Sequence, residues 1–359
     1  MLMAQEKANS CVTCHAELEP RLAAPVNLVG QSVHHSAELS CAGCHGGDPG
    51  QDDPDLAMSP AKGFVGKPDA GQIPRLCATC HSNAVFMRRF NPKSAIDQYE
   101  LYLTSRHGEL WSKGDRNVAQ CVSCHTAHEI RKSSDPLSTT YPTALAEQCA
   151  TCHSRADYMK SYGIATDQYD EYKAGIHARM LYKAGDLSAP TCNDCHGNHG
   201  ATPPGVSSIS NVCGTCHLVQ KEYFAASPHK MAFEQNHISE CEACHGNHNI
   251  QPANDAMLGT SEPAVCVQCH DSDSKGYQEA GLMRAGIDRL HASISHADSL
   301  LHLAHKAGVS IKDEKLVLPA AKDALTLARA LVHTFRMGDL EPALHRSEER
   351  RVGKECRSR

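Results

Sequence analysis

Nine stretches of this chain place two cysteines three residues apart with a histidine directly after the second; they begin at Cys11, Cys41, Cys77, Cys121, Cys149, Cys192, Cys213, Cys241 and Cys266. Their second cysteines are Cys14, Cys44, Cys80, Cys124, Cys152, Cys195, Cys216, Cys244 and Cys269. Their histidines are His15, His45, His81, His125, His153, His196, His217, His245 and His270. Of the 19 cysteines only Cys356 stands outside these motifs. Paired thiols at this spacing serve zinc ribbons, redox dithiols and covalent haem attachment. Zinc and dithiol chemistry need Cys-x-x-Cys but make no demand on the next residue. With 24 histidines in 359 residues, nine chance placements have a probability on the order of 10⁻¹¹, whereas c-type haem attachment requires a histidine there. Two thiols at this spacing reach both vinyl groups of one porphyrin, and the adjacent imidazole then lies beneath the iron. The residues therefore predict nine covalently attached haem c groups, with zinc as the minor alternative.

Further histidines recur around the motifs. Four segments align upstream of a motif: VGQSVH ending at His34, YLTSRH at His107, YKAGIH at His177 and FAASPH at His229. Each has a small residue two before the histidine, three begin with an aromatic, and a motif follows within 15 residues. Three of those motifs carry a second histidine three places after their own, at His128, His199 and His248, while the first repeat has Asp48 there. In TCNDCHGNHG, Cys192 and Cys195 thus hold a haem, His196 ligates its iron and His199 is a sixth ligand to an iron the sequence leaves open. Gly46, Gly197 and Gly246 follow their motifs and let the backbone turn close to a porphyrin face. Plainer motifs at Cys77, Cys149, Cys213 and Cys266 complete each unit, so the order is a leading haem at Cys11 and then four doublets. The seven repeated histidines leave two irons short of a distal ligand. His35 is the first candidate to supply one, followed by His237 and the C-terminal histidines, among them His291, His305 and His333.

These ligands need elements to position them. Nine haems leave about forty residues each, in a chain that is 5% aromatic with negative mean hydropathy. Small units that bury little apolar surface rely on covalent or metal staples. The expected fold is mainly α with extensive loops, wrapped round a haem stack. From residue 277 the pattern changes. Met283, Ile287, Leu290, Ile294, Ala297, Leu301 and Ala304 form one heptad stripe, and Leu318, Ala321, Leu325, Ala328, Val332 and Phe335 a second. With AGVSIKDEK between them, they predict an antiparallel helical hairpin over 276–345 that packs over the last haems, or a dimer seam or docking surface. The domains are then an N-terminal segment 1–10, a nonahaem region 11–275, the hairpin, and residues 346–359. That last string, RSEERRVGKECRSR, resembles a translated sequencing adapter, which makes Cys356 foreign.

The formal charge of −6 becomes roughly −15 with nine bis-His ferric haems, which disfavours nucleic acid and favours basic patches on redox partners. No run of 18 or more apolar residues is long enough to span a membrane. MLMAQEKANS lacks the regions of a signal peptide, yet c-type haems are attached outside the cytoplasm; the expectation is a start upstream, or a record that begins near the mature terminus.

The pattern resembles the multihaem c-type cytochromes of the doubled Cys-x-x-Cys-His type, found in respiratory chains of anaerobic and metal-respiring bacteria. The resemblance covers residues 11–270. It implies thioethers at the motif cysteines, a proximal role for each motif histidine and a second histidine on most irons. Those second ligands are His34, His107, His128, His177, His199, His229 and His248, with His35 added. Asp48 departs from the pattern. The implied function is electron transfer in anaerobic respiration or extracellular electron transfer, in the periplasm or at the cell surface. Quinol-linked or periplasmic cytochromes or a terminal reductase are the implied partners, and a homo-oligomer is admitted. Two alternatives stand beside it. One is a reductase of nitrogen or sulfur oxyanions with one open haem, at Cys11 or Cys266; the other is a subunit of a conductive filament.

Overall fold

The computed structural model describes residues 9–202, 208–311 and 314–345. Residues 1–8, the basic string 346–359 with Cys356, and 312–313 in the predicted tail connection lie outside the described residues. Among the described residues there are helices and loops and no strand. The chain divides into two compact units, Met1–Gly205 and Val206–Arg359.

Most motifs occupy or end a short helix: Ser10–Ala16, Cys41–His45, Ile73–His81, Cys121–His125, Pro142–His153, Cys192–His196 and Glu242–His245. One helical turn brings residues three and four apart to the same side, so both thiols and the imidazole face one way. Caps start these turns. Gln120 exchanges hydrogen bonds with Ser123, and Thr191 with Asp194, each as a capping box. Glycines end them: Gly46, Gly197 and Gly246 have φ of 68°, 83° and 70°. At Gly46 a Cβ would lie 2.0 Å from the Gly63 carbonyl oxygen, so a neighbouring loop crowds the backbone there.

The upstream repeats also have a local explanation. The small residue two before each histidine is the N-cap of the helix that carries it. Ser32 precedes Val33–Ser36, Ser105 precedes Arg106–Ser112, Gly175 precedes Ile176–Tyr182 and Ser227 precedes Pro228–Asn236. Each repeated histidine is therefore the second residue of a helix. The repeated aromatic ties that helix to its motif. Tyr102 donates to the Ala119 carbonyl at 3.1 Å and Tyr172 to the Pro190 carbonyl at 3.0 Å, in both cases two residues before the motif's first cysteine. Apolar packing in the first unit is confined to small clusters. One is Tyr102, Trp111 and Val118; another is Ala146, Tyr172 and Ala178 with Cys192 against them.

In the second unit the tail forms the main apolar core. Lys275–Lys306 packs on Glu314–Leu331 through Met283, Ile287, Leu290 and Ile294 against Ala324, Leu325 and Ala328. The predicted hairpin is present, and a further helical segment at 337–345 closes it with Leu340, Ala343 and Leu344. The tail shares this unit with the motifs at Cys213, Cys241 and Cys266.

Candidate metal centres

The histidines meet in pairs. His34 faces His81 with ring centroids 6.0 Å apart, His107 faces His153 at 6.1 Å and His229 faces His270 at 5.8 Å. In this first class an upstream histidine meets the second motif of its own doublet. His128 faces His45 at 6.1 Å and His199 faces His125 at 6.1 Å. In this second class the extra histidine of one doublet meets the first motif of the doublet before it. That places His199 opposite His125, a motif far back in the sequence. At the first motif of the fourth doublet the facing ring is His333 of the tail, 6.2 Å from His245.

This spacing fits one metal between two imidazoles. Imidazole nitrogens bind at about 2 Å, and roughly 1 Å more separates each nitrogen from its ring centre, which puts the centres about 6 Å apart. The two classes differ in ring orientation. The upstream pairs are crossed, at 65°, 63° and 84°, and the others are nearly parallel, at 14°, 18° and 18°. Among the described residues no three His, Cys, Asp or Glu side chains converge as a zinc shell requires. The arrangement is two-fold throughout.

Burial first, and the facing imidazole second, push the pKa of His34, His107, His125, His128, His229 and His245 down. These rings are therefore neutral at pH 7, each with a lone pair for a metal. Several also have their other nitrogen oriented. Nδ1 of His45 is 2.7 Å from the Gly66 carbonyl, that of His196 is 3.0 Å from Thr202 and that of His333 is 2.9 Å from Ala330. Donation from Nδ1–H leaves Nε2 free and fixes the plane of the ring.

Neighbouring motifs touch in chain order within each unit. The Cys77 thiol lies beside that of Cys121, as Cys149 does beside Cys192 and Cys213 beside Cys241. This proximity pushes the first thiol of each pair up and the second down. Burial, and then the thiols of the next motif, push Cys44, Cys124 and Cys244 up, the last to about 11. Cys11 lies beside Cys41 in the same way.

Other predicted ligands are placed differently. His35 is exposed, and no imidazole is brought to it among the described residues. On Val33–Ser36 it points about 100° away from His34, so the turn that aims His34 at His81 aims its neighbour outward. His237 ends its helix with φ of 55° and is exposed, as are His291 and His305. His177 begins Ile176–Tyr182 as its repeat counterparts begin their helices, and both it and His248 make contacts of their own. His15 lies 3.3 Å from the Leu22 carbonyl, and among the described residues no second imidazole faces it. His333, which sequence reasoning ranked below His35, is the one of these that faces a motif histidine.

A porphyrin also brings two carboxylates, and the structure has groups that suit them. Nε and Nη2 of Arg179 are buried and have no acceptor, and the buried hydroxyls of Thr126 and Ser227 are unpartnered. Imidazole pairs at metal-bridging distance and orphaned donors beside the motifs fit covalently held haem.

The fourth doublet shows how the tie between ligand helix and motif survives loss of the tyrosine. Phe224 occupies that position and has no hydroxyl. Instead Lys230, next to His229, ion-pairs with buried Glu240, next to Cys241, while Ser208 and the Ser210 amide also donate to Glu240. Burial raises the Glu240 pKa, but these donors outweigh it and hold the carboxyl at about 2. A depressed folded pKa stabilises above the unfolded value of 4.5, and that contribution is lost as pH falls toward 2. Its ceiling is about 3 kcal/mol. Denaturant melts should show Glu240→Gln destabilised at pH 7 by about 1–3 kcal/mol, with the gap to wild type closing by pH 2. A gap that stays constant with pH would show that Glu240 acts by packing alone.

The chain matches the family described as "Doubled CXXCH motif" over residues 233–275, which contain the motifs at Cys241 and Cys266. It is 26% identical over 276 residues to the multiheme cytochrome MtrA of Shewanella baltica (strain OS185), covering 74% of this chain and 67% of that protein. It is 26% identical over 179 residues to the high-molecular-weight cytochrome c of Nitratidesulfovibrio vulgaris (strain Hildenborough). That match covers 40% of this chain and only 31% of the relative. No solved structure matches the chain.

Proposed function

We propose that this chain, similar to multihaem c-type cytochromes in its doubled motif and over most of its length, holds nine haems and conducts electrons along them without a substrate of its own. One-electron transfer is the chemistry that haem supplies when bound. The chain's part is to hold eight of the nine irons between two imidazoles each, so that coordination there does not change with oxidation state. In this reading His34, His107, His128, His177, His199, His229, His248 and His333 are distal ligands, and His35 is not. The observation that carries it is the set of six imidazole pairs, all 5.8–6.2 Å apart. Motif contacts in chain order support closely spaced neighbours. Export to the periplasm or cell surface, and docking to redox proteins through basic patches, belong to the same proposal. No helix among the described residues is long and apolar enough to cross a membrane.

The ring angles provide the test. Crossed imidazole planes leave the two iron orbitals that bond with the rings nearly degenerate, whereas parallel planes split them. Electron paramagnetic resonance of the ferric protein should therefore show two low-spin populations, one highly anisotropic and one rhombic, in comparable amounts. Redox titration should spread over a broad potential range, as coupled sites do. A single uniform low-spin species, or a mainly high-spin protein, would overturn the ligand assignment. One observation favours a second reading at a single site. His15 has no facing imidazole, so a high-spin signal equal to one haem belongs to the Cys11 motif. Saturable turnover of a small oxyanion there would make the protein a reductase.

A further inference from the structure

Arg179 is a half-buried cation with two buried, unpartnered donors. It lies on Ile176–Tyr182, two residues after His177, between Ala178 at 2% exposure and the helix-burying Leu181 at 1%. Among the described residues its Nε and Nη2 have no acceptor. A guanidinium stays charged at any ordinary pH, so burying its donors unpaired is costly unless a partner arrives. Ala178, beside it, packs with Ala146 on the helix that carries the Cys149 motif and with Cys192 of the next motif. The helix that carries Arg179 therefore lies against two motifs, and propionates of haems held there are the anions this doublet would bring to it. We infer that Arg179 is a propionate clamp: its planar fork binds a carboxylate of the haem attached at the Cys149 or Cys192 motif and sets that haem's potential apart from the others.

The repeat sharpens the assignment. The positions two after the other upstream histidines are Ser36, Glu109 and Met231, so only this doublet has a cation there. Glu109 is taken up by Arg106 and Lys113 on its own helix. Two parallel N–H groups matched to two carboxylate oxygens make the strongest common form of this contact. A positive charge fixed beside a propionate offsets its negative field at the iron, which disfavours the ferric state and raises the potential.

The inference rests on haem filling the motifs, so the test counts haems first. Matured wild type, Arg179→Gln and Arg179→Lys are compared by intact mass, spectroelectrochemical titration and resonance Raman spectroscopy of the propionate bending bands. Arg179→Gln should keep the wild-type haem count and spin state, move one midpoint potential negative and shift one propionate band. Arg179→Lys should keep most of the potential, because the charge remains, but shift the band, because a single donor replaces the fork. Unchanged potentials and bands would overturn the clamp while leaving the haem reading intact. Loss of a haem or a new high-spin iron in Arg179→Gln would also overturn it, since the residue would then support ligation or folding. Should that variant fail to mature, an unshifted band in Arg179→Lys decides against the clamp. Wild-type protein without haem would overturn both readings, and the mass alone distinguishes that case.

Discussion

Ala at position 333 is expected to convert one low-spin haem to a five-coordinate or high-spin one, with the remaining low-spin signal intact. His333 faces His245 at 6.2 Å, its Nδ1 is oriented by the Ala330 carbonyl, and its ring is buried. Burial first lowers its pKa, so the imidazole is neutral and ready to bind. The turn that presents it does not depend on the ring. Thr334 Oγ1 donates to the Leu331 carbonyl at 2.9 Å, and the Phe335 amide donates to Val332 at 3.0 Å. Phe335 stays packed on His229, with ring centroids 3.9 Å apart. The substitution should therefore remove a ligand and little else. His35→Ala is the matched control: its ring is exposed, so that protein should keep every low-spin signal of the wild type. Optical and paramagnetic resonance spectra of both variants decide the matter. A change in His35→Ala with none in His333→Ala would restore the assignment expected from the sequence.

Those two residues show what kind of information a sequence carries. The motifs were legible because attachment is local: both thiols and the proximal imidazole lie within one helical turn. The repeated upstream histidines were legible for the same reason, since the N-cap before each and the tyrosine that ties its helix down are close in the chain. Which motif histidine each extra histidine faces was not legible, because His128 reaches His45 and His199 reaches His125 across most of two doublets. His35 looked suitable by adjacency to His34, and helix geometry turns it outward. His333 has no motif around it and sits in a stripe that reads as ordinary packing. The helical segment at 337–345 was missed because its apolar residues do not continue the heptad spacing. The pair Lys230–Glu240 was likewise hidden: it replaces a hydroxyl that Phe224 lacks, and substitution of one kind of tie by another leaves no repeat to read.

Matured protein exported by a host that attaches c-type haem is expected to exceed its polypeptide mass by nine haems, the largest change any cofactor reading predicts. The count follows from nine complete motifs, none with a thiol or histidine missing. The geometry adds a reason for attachment to be complete. Thiols of successive motifs lie beside one another at Cys77 and Cys121, Cys149 and Cys192, and Cys213 and Cys241. Each haem therefore packs against a place where its neighbour is anchored, and a motif left empty would expose both a cavity and reactive thiols in an oxidising compartment. Partly loaded chains should accordingly be depleted from folded material, so the mass spectrum should be dominated by one species instead of a ladder. Cys192→Ala with Cys195→Ala provides the internal calibration: folded protein carrying that pair of changes should weigh one haem less, and its yield should fall because two neighbouring motifs lose their packing partner. Wild-type protein that retains zinc and shows no Soret band would remove the cofactor assignment altogether. A discrete species at eight haems would instead point to the Cys11 motif, whose histidine alone among the first unit's motifs is known to lack a facing ring.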